Sequence, residues 1–141
     1  MKEIEWDDRV YELGVFRCKD MYERGYFDHK DPDGKCAVNY AADFNINWAS
    51  IPENSWMIGF SESDKSLSYF DCQEPVDSWM ESRGHRFNLL YSAHTKGAIS
   101  CYGNKCVFLA LSFGNFPCAS AAEGVAFWET APIQPEERRT G

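Results

Sequence analysis

No stretch of this sequence approaches the roughly 20 consecutive apolar residues that a membrane-spanning helix needs, so no transmembrane segment is expected. Basic residues are also in the minority, because 14 Lys and Arg stand against 22 Asp and Glu and give a net charge of −8. Such an acidic surface repels phosphate groups and anionic lipid heads, which argues against nucleic acids and membrane surfaces as partners. The first residues lack the apolar core of an export signal, and we expect any such signal to have been removed from this chain.

The six cysteines are not spaced as metal ligands. They include no Cys-x-x-Cys pair and no Cys/His spacing typical of a zinc site. An even number of cysteines without such spacing favours disulfide bonds, which persist outside the reducing cytosol. We therefore expect an extracellular or cell-surface protein. Six buried free thiols in a cytosolic protein are the less favoured alternative.

One disulfide can be predicted from local geometry. Gly103-Asn104 lies between two strand-like runs and suits a two-residue primed turn, which needs a positive φ. In that register Tyr102 faces Lys105 as the pair that closes the loop, and Cys101 lies opposite Cys106. The close approach of a non-hydrogen-bonded pair suits a disulfide, so we predict a Cys101–Cys106 bond. The other four cysteines allow three connectivities.

The length of 141 residues fits a single domain, and its periodicity indicates an α/β fold. An amphipathic helix is predicted from Trp6 to about Gly25, with a face formed by Val10, Leu13, Gly14, Arg17, Cys18 and Met21. The hairpin is predicted to pair residues 97–102 with residues 105–113. Along its second strand Phe108 and Ala110 point one way, while Val107, Leu109, Leu111 and Phe113 point the other. Because both faces are apolar, helices should cover both sides of a central sheet, in three layers.

The remaining elements are expected to be short. We predict a helix over residues 36–44, a strand over residues 55–60 and a helix that begins near Pro75. Residues 82–95 are expected to be loop or broken helix. His94 is interpreted as an exposed loop residue, and Trp56, Trp79 and Phe113 as core. Asp31, Asp33 and Gly34 are interpreted as a turn, because the further ligands of a calcium loop are missing.

Three histidines and several glutamates each have a structural explanation when they are taken singly. His29 could cap a turn, His85 could lie in a basic surface cluster, Glu53 could cap a strand and Glu81 could be a solvated helix position. Their combination with neighbouring residues is more informative. This combination consists of four blocks in a fixed order: Asp28-His29-Lys30-Asp31-Pro32-Asp33-Gly34, Pro52-Glu53-Asn54-Ser55, Val76-Asp77-Ser78-Trp79-Met80-Glu81-Ser82-Arg83-Gly84-His85-Arg86-Phe87-Asn88-Leu89-Leu90 and Leu111-Ser112-Phe113-Gly114.

These blocks, over about residues 6–114, resemble the CAP superfamily of cysteine-rich secretory, antigen 5 and pathogenesis-related proteins, and most closely its prokaryotic branch. The third block is the specific one. The resemblance implies an α-β-α sandwich with a small, mostly antiparallel central sheet and a large central cleft. It also implies that His29, Glu53, Glu81 and His85 line this cleft, and that His29 and His85 hold a divalent cation such as zinc.

The sequence departs from the family pattern at several points. Glu81 is two residues after Trp79 where eukaryotic relatives place the glutamate three residues after, and one residue rotates a helical side chain by about 100°. Arg83 replaces a common proline, and Pro52 replaces a small residue. The family's first helix is expected to be absent. We divide the chain into a CAP-like domain, residues 1–118, and a C-terminal extension, residues 119–141, with a polar end and a Trp128-containing part that docks on the domain.

Three functions fit these residues. The favoured one is a secreted or surface-displayed CAP-type domain whose cleft binds a cation, a peptide, a glycan or a lipid. The alternative is a metal-assisted, peptidase-like hydrolase in which Glu53 and, less securely, Glu81 act on water. No Gly-x-Ser-x-Gly nucleophile motif supports a covalent mechanism. A structural module that self-associates or joins a larger surface assembly is the third possibility.

Overall fold

The computed structural model describes residues 4–57 and 73–120. The chain forms four strands, three α-helices and one 3₁₀ helix within these ranges. In chain order they are β1 (Glu5–Trp6), α1 (Asp8–Arg24), the 3₁₀ helix (Ala37–Phe44), β2 (Glu53–Met57), α2 (Gln73–Glu81), α3 (Arg83–Leu89), β3 (His94–Tyr102) and β4 (Lys105–Ser112). None of the helices in the described part of the chain is both long enough and apolar enough to cross a membrane.

Helix α1 follows the predicted pattern closely, and its ends have clear local causes. Asp7 caps the first turn, since its Oδ1 accepts hydrogen bonds from the backbone N–H of Arg9 at 2.8 Å and of Val10 at 3.2 Å. The helix ends at Gly25, which adopts the left-handed conformation with φ 69°. The predicted first residue, Trp6, instead belongs to β1, because the capping aspartate fixes the helix start at Asp8.

The sheet is mixed, with the strand order β1-β3-β4-β2. Strand β1 pairs with β3 in parallel, while β3 with β4 and β2 with β4 are antiparallel. The fold is the predicted α/β three-layer α-β-α sandwich. The edge strand β2 begins with Glu53, which brings the second of the sequence blocks to the edge of the sheet.

Strand β4 is covered on both faces, as its apolar alternation predicts. Val107, Leu109 and Leu111 belong to a core cluster with residues of α1, whereas Phe108 and Ala110 pack with Trp79 of α2. Trp56 is partly buried against this second cluster. The prediction for Phe113 is wrong: it follows the last residue of β4 and its exposed fraction is 76%.

The hairpin forms in the predicted register, with Cys101 opposite Cys106, and the two are joined by a disulfide. Gly103 takes the positive φ of 59° that the turn needs. A second disulfide joins Cys36 to Cys118, which are 82 residues apart. Cys18 does not follow the expectation of a pairing among the remaining cysteines: it is a free thiol, buried on α1 with its Sγ 3.4 Å from the carbonyl oxygen of Ser100. Cys72 lies outside the described residues.

Several short elements differ in detail from the predictions. The helix predicted over residues 36–44 is a 3₁₀ helix, and the strand expected at residues 55–60 begins at Glu53, with residues 58–60 outside the described ranges. The segment 82–95, expected to be loop or broken helix, contains α3 and the start of β3. The interpretation of His94 as an exposed loop residue is wrong, because it is buried at the start of β3. The predicted tail docking falls at residues 121–141, outside the described part.

Candidate functional site

Glu53 is the centre of the candidate site, and a buried arginine holds its carboxylate. Arg17 of α1 donates from Nε to Oε2 at 2.8 Å and from Nη2 to Oε1 at 2.9 Å. The side chain of Arg17 is fully buried and that of Glu53 is 5% exposed. Ser55, two residues along β2, also donates to Oε1 at 3.0 Å. The carboxylate therefore has several donors fixed by the sandwich, and it is not free to move.

The other donors of Arg17 are also satisfied. Its Nη1 donates to the hydroxyl oxygen of Tyr26 at 2.7 Å, and its Nη2 donates to the carbonyl oxygen of Asp28 at 2.7 Å. The Tyr26 hydroxyl donates in turn to Asp20 at 2.7 Å. Sequence reasoning did not assign Arg17 to the site, although it placed this residue on the buried face of α1. A charged residue on an apolar helix face was the available signal, since buried charges are normally paired.

The ring of His29 contacts Glu53 directly. Its Nδ1 lies 2.9 Å from Glu53 Oε1, and its side chain is 25% exposed. The turn that follows His29 is built by Asp31, whose Oδ1 accepts from the backbone N–H groups of Asp33 and Lys35 at 2.9 Å. An ionised carboxylate accepts hydrogen bonds, so the contact places the proton of a neutral His29 ring on Nδ1. The lone pair of such a ring is then on Nε2.

The Arg17–Glu53 pair is held in its charged form. Burial by itself raises the pKa of the Glu53 carboxyl, but the charge and hydrogen bonds of Arg17, with those of His29, outweigh it and lower this pKa to about 2. Burial likewise lowers the pKa of Arg17, and the nearby Glu53 carboxylate more than reverses that effect, so the pKa of Arg17 is raised. Both shifts agree that the pair is ionised across the physiological range.

His85 approaches the same region from α3. Its Nδ1 lies 2.9 Å from Ser82 Oγ, and its carbonyl oxygen accepts a hydrogen bond from Asn54 Nδ2 at 2.9 Å. Because Asn54 directly follows Glu53 on β2, this bond fixes α3 beside the site. Burial lowers the pKa of His85, and the charge of His29 lowers it further.

Glu81 does not join the other three residues. It is the last residue of α2 and is exposed, and it takes no part in the hydrogen bonds of Glu53, His29 or His85. Trp79, two residues earlier, is buried with 1% exposure. Side chains two residues apart on a helix differ in direction by about 200° around the helix axis. Since Trp79 is buried against the sheet, Glu81 faces away from it.

The fit of a divalent cation to these residues is incomplete. Within residues 4–57 and 73–120, no three His, Cys, Asp or Glu side chains are grouped so that they could hold a metal ion. Glu53 is engaged by Arg17 and Glu81 lies apart, which leaves the two imidazoles as candidate ligands. Protein-enclosed zinc sites usually have three or four protein ligands, so these residues do not form such a centre.

A pocket opens beside His29 and Glu53. Its volume is about 70 Å³, enough for several water molecules or a small apolar group. His29 and Glu53 form its polar part, and most of the wall is apolar. The other lining residues are Cys36, Ala37, Val38, Ile51, Pro52, Phe116, Pro117, Cys118 and Ala119. His85 does not line this pocket.

The comparisons with known proteins agree with this architecture. The family model described as the cysteine-rich secretory protein family, CAP, matches residues 1–111, and the chain belongs to this family. Among curated relatives, the uncharacterized protein YkwD of Bacillus subtilis is 27% identical over 90 residues, which are 64% of this chain and 31% of YkwD. The uncharacterized membrane protein YlbC of the same organism is 25% identical over 95 residues, 67% of this chain and 25% of YlbC. The chain thus spans a third or less of these relatives.

Solved structures show the same fold at low sequence identity. An extracellular SCP-domain protein of Bacillus anthracis has a TM-score of 0.66 at 20% identity, over 79% of this chain and 34% of that one. An outer surface protein of Borrelia burgdorferi has a TM-score of 0.56 at 14% identity, over 78% of this chain and 76% of that one. A cysteine-rich secretory protein of Staphylococcus aureus has a TM-score of 0.52 at 15% identity, over 79% and 32%.

Proposed function

We propose that this chain is an extracellular CAP domain that binds a ligand in the pocket beside His29 and Glu53 and does not hydrolyse it. The state of Glu53 carries the preference for binding. A general base is most effective when its pKa is near the working pH. A carboxyl whose pKa is about 2, and which accepts two hydrogen bonds from buried Arg17, is a weak base.

Two observations support an extracellular or cell-surface location. The disulfides Cys36–Cys118 and Cys101–Cys106 are of the kind that persists in oxidising compartments. Two of the structural neighbours are described as an extracellular protein and an outer surface protein.

The walls of the pocket favour a ligand with an apolar part. Ala37, Val38, Ile51, Pro52 and Phe116 supply apolar surface, while His29 and Glu53 supply a polar end. A glycan exposes hydroxyl groups on every face and would leave many of them without partners here. A small apolar peptide side chain or the end of a lipid chain loses less on burial and suits a pocket of about 70 Å³, so we rank these two ligand classes above a glycan.

Three probes separate the ligand classes: palmitate, a mixture of apolar tetrapeptides and chitotetraose. Amide chemical shifts of ¹⁵N-labelled protein report which probe perturbs residues 37, 38, 51 and 53. We expect palmitate or a peptide to do so, and expect Val38→Trp to reduce the perturbation by filling the pocket. Glu81→Gln, outside the site, is the matched control and should leave binding unchanged. The proposal would be overturned if the perturbations persisted in the Val38→Trp variant, or if none of the three probes perturbed these residues.

The same probes test the absence of hydrolysis. Peptides incubated with the protein should be recovered intact by mass spectrometry. Cleavage that is lost in the Glu53→Gln variant would show that this carboxylate does act on water, and would replace binding by catalysis as the function.

A divalent cation is a second candidate ligand. The observation that favours it is the bonding of Nδ1 in both histidines, His29 to Glu53 and His85 to Ser82, because a ring that donates from Nδ1 has its lone pair on Nε2, as metal-bound histidines do. Two imidazoles would form an open site, in which solvent supplies the other ligands. Calorimetric titration with zinc should then show about one equivalent bound. The His29→Ala/His85→Ala variant should lose this uptake, while His94→Gln should keep it. Uptake that is equal in all three proteins would exclude the two-imidazole site.

A further inference from the structure

The outer wall of the pocket is a segment with no helix or strand. Residues 114–119, here called the strap, follow β4, and four of the pocket's lining residues belong to it: Phe116, Pro117, Cys118 and Ala119. The position of the strap therefore determines the shape of the pocket and how readily it opens to solvent.

One of the contacts that hold the strap is covalent, and the others include a hydrogen bond and aromatic ring contacts. The backbone N–H of Phe116 donates to Ser50 Oγ at 3.1 Å. The ring of Phe116 contacts those of Tyr91, with centroids 5.0 Å apart, and of His94, with centroids 5.7 Å apart. The covalent bond is the disulfide from Cys118 to Cys36, the residue that caps the 3₁₀ helix.

The two disulfides of the described chain therefore have different consequences when they are broken. Cys101 and Cys106 also face each other in the ladder of β3 and β4, so their strands stay paired without the bond. Cys118 lies in no ladder. Breaking its bond leaves the strap attached through noncovalent contacts alone, and segments outside helices and strands open locally more readily than a paired strand.

We propose that the Cys36–Cys118 disulfide is a redox-sensitive tether that keeps the strap over the pocket, and that its reduction opens the pocket while the sandwich stays folded. The reductant is a dithiol. Its first thiolate attacks one sulfur and forms a mixed disulfide as the Cys36–Cys118 bond breaks and the other cysteine leaves as a thiolate. The second thiolate of the dithiol then displaces the remaining cysteine and closes the reductant into a disulfide, and the two cysteine thiolates take up the two protons that the dithiol has lost. The partly exposed Cys118 is the accessible side of the bond. The effect of this opening on ligand binding rests on the function proposed above.

Hydrogen–deuterium exchange tests the tether without any ligand. The Cys36→Ser/Cys118→Ser variant should exchange the Phe116 amide about tenfold faster or more through local opening. Amides of residues 106–111 in β4 should remain protected at the level that the global stability of the variant sets, and should stay slower than the Phe116 amide. The matched control, Cys101→Ser/Cys106→Ser, should leave exchange in the strap unchanged. Equal exchange of the strap with and without the Cys36–Cys118 bond would overturn the proposal.

A second measurement uses the native protein and does not depend on whether the Cys36→Ser/Cys118→Ser variant folds. Native protein is treated with graded dithiothreitol, the freed thiols are alkylated, and each partly reduced species is analysed by exchange. In the species with reduced Cys36 and Cys118, strap amides should exchange faster than β4 amides, which stay protected by the folded sandwich. Equal exchange of strap and β4 amides in that species would show that the bond holds the whole domain, and would refute a local tether. Failure of every probe to bind the oxidised protein would refute the proposed function alone, because the exchange experiment contains no ligand.

Discussion

Arg17 and Glu53 form a two-point ion pair that joins the first helix to the edge of the sheet. Nε to Oε2 is 2.8 Å and Nη2 to Oε1 is 2.9 Å, and neither side chain is more than 5% exposed. The planar guanidinium matches a carboxylate in this geometry, and lysine cannot reproduce it. The pair also fixes the oxygen that His29 contacts, so the pocket's polar end depends on a residue of α1.

Removing one partner of this pair should be strongly destabilising. Arg17→Met leaves the Glu53 carboxylate buried without its cation, and should lower the free energy of unfolding by about 3–5 kcal/mol. Arg17→Met combined with Glu53→Gln should cost less than the sum of the single changes, because no uncompensated charge remains. Urea unfolding measures both. The control is Arg9→Met, since Arg9 is 47% exposed in its pair with Asp7 and should cost less than about 1 kcal/mol. Equal losses at positions 9 and 17 would contradict this description.

The two disulfides should differ in their contribution to stability. By the loop-entropy relation, a bond between residues 82 apart stabilises by about 4–5 kcal/mol, and one between residues 5 apart by about 2 kcal/mol. Cys36→Ser/Cys118→Ser should therefore lower the urea midpoint more than Cys101→Ser/Cys106→Ser does. The reverse order would show that native-state contacts at the hairpin, and not chain entropy, dominate.

Gly14 should not tolerate alanine, even though alanine favours helices. A Cβ at this position would lie 2.2 Å from Ser100 Oγ and 2.6 Å from Ser100 Cβ, because α1 packs closely on β3. We expect Gly14→Ala to cost about 1–3 kcal/mol from overpacking, against a gain of about 1 kcal/mol in an exposed helix. Thermal unfolding measures the change. In a Ser100→Gly background the same substitution should cost less; an unchanged cost would show that the overlap is not its cause.

His94 should make stability depend on pH under mildly acidic conditions. Its ring is buried and its Nδ1 has no hydrogen-bond partner in the described part of the chain. Burial lowers its pKa to about 4, although the backbone of Asn88 partly opposes this shift. Between pH 6.5 and 4 the unfolded state takes up a proton that the folded state does not, so stability should fall by about 3 kcal/mol as the pH falls through this window.

The variant His94→Gln keeps a donor for Asn88 but cannot titrate. Its urea stability should change less than that of the wild type between pH 6.5 and 4.5. His85→Gln is the control, because His85 is only partly buried and should account for a smaller part of the slope. If the stability of the His94→Gln protein fell with pH as steeply as that of the wild type, His94 would not be the group responsible.

The parts of the fold that depend on neighbouring residues could be predicted from the sequence. The buried face of α1, the hairpin register with Cys101–Cys106 and the two apolar faces of β4 all follow from spacing within one element or one turn. The sequence also provided a reason for Glu81 to lie apart, because its rotation relative to Trp79 is a local property of a helix.

Features that depend on distant residues could not be predicted. Cys36–Cys118 closes a loop of 82 residues, and no local rule selects it from the possible pairings. The role of Arg17 required knowledge that α1 packs beside β2 at Glu53. His94 was misjudged because its burial comes from the rings of Tyr91, Phe108 and Phe116, which lie before and after it in the chain.

The ionisation of Glu53 is the property on which the preference for binding over hydrolysis depends. It is measured directly by following the side-chain carboxyl ¹³C resonance of Glu53 from pH 7 downwards, with Glu81 as the exposed reference in the same sample. We predict that the Glu53 resonance titrates with a midpoint at about 2. Because this pKa is lower than the unfolded value of 4.5, the ionised carboxylate stabilises the fold above pH 4.5, and this stabilisation is lost as the pH falls towards 2. A midpoint at or above 4.5 would contradict the account, because Glu53 would then be available as a base.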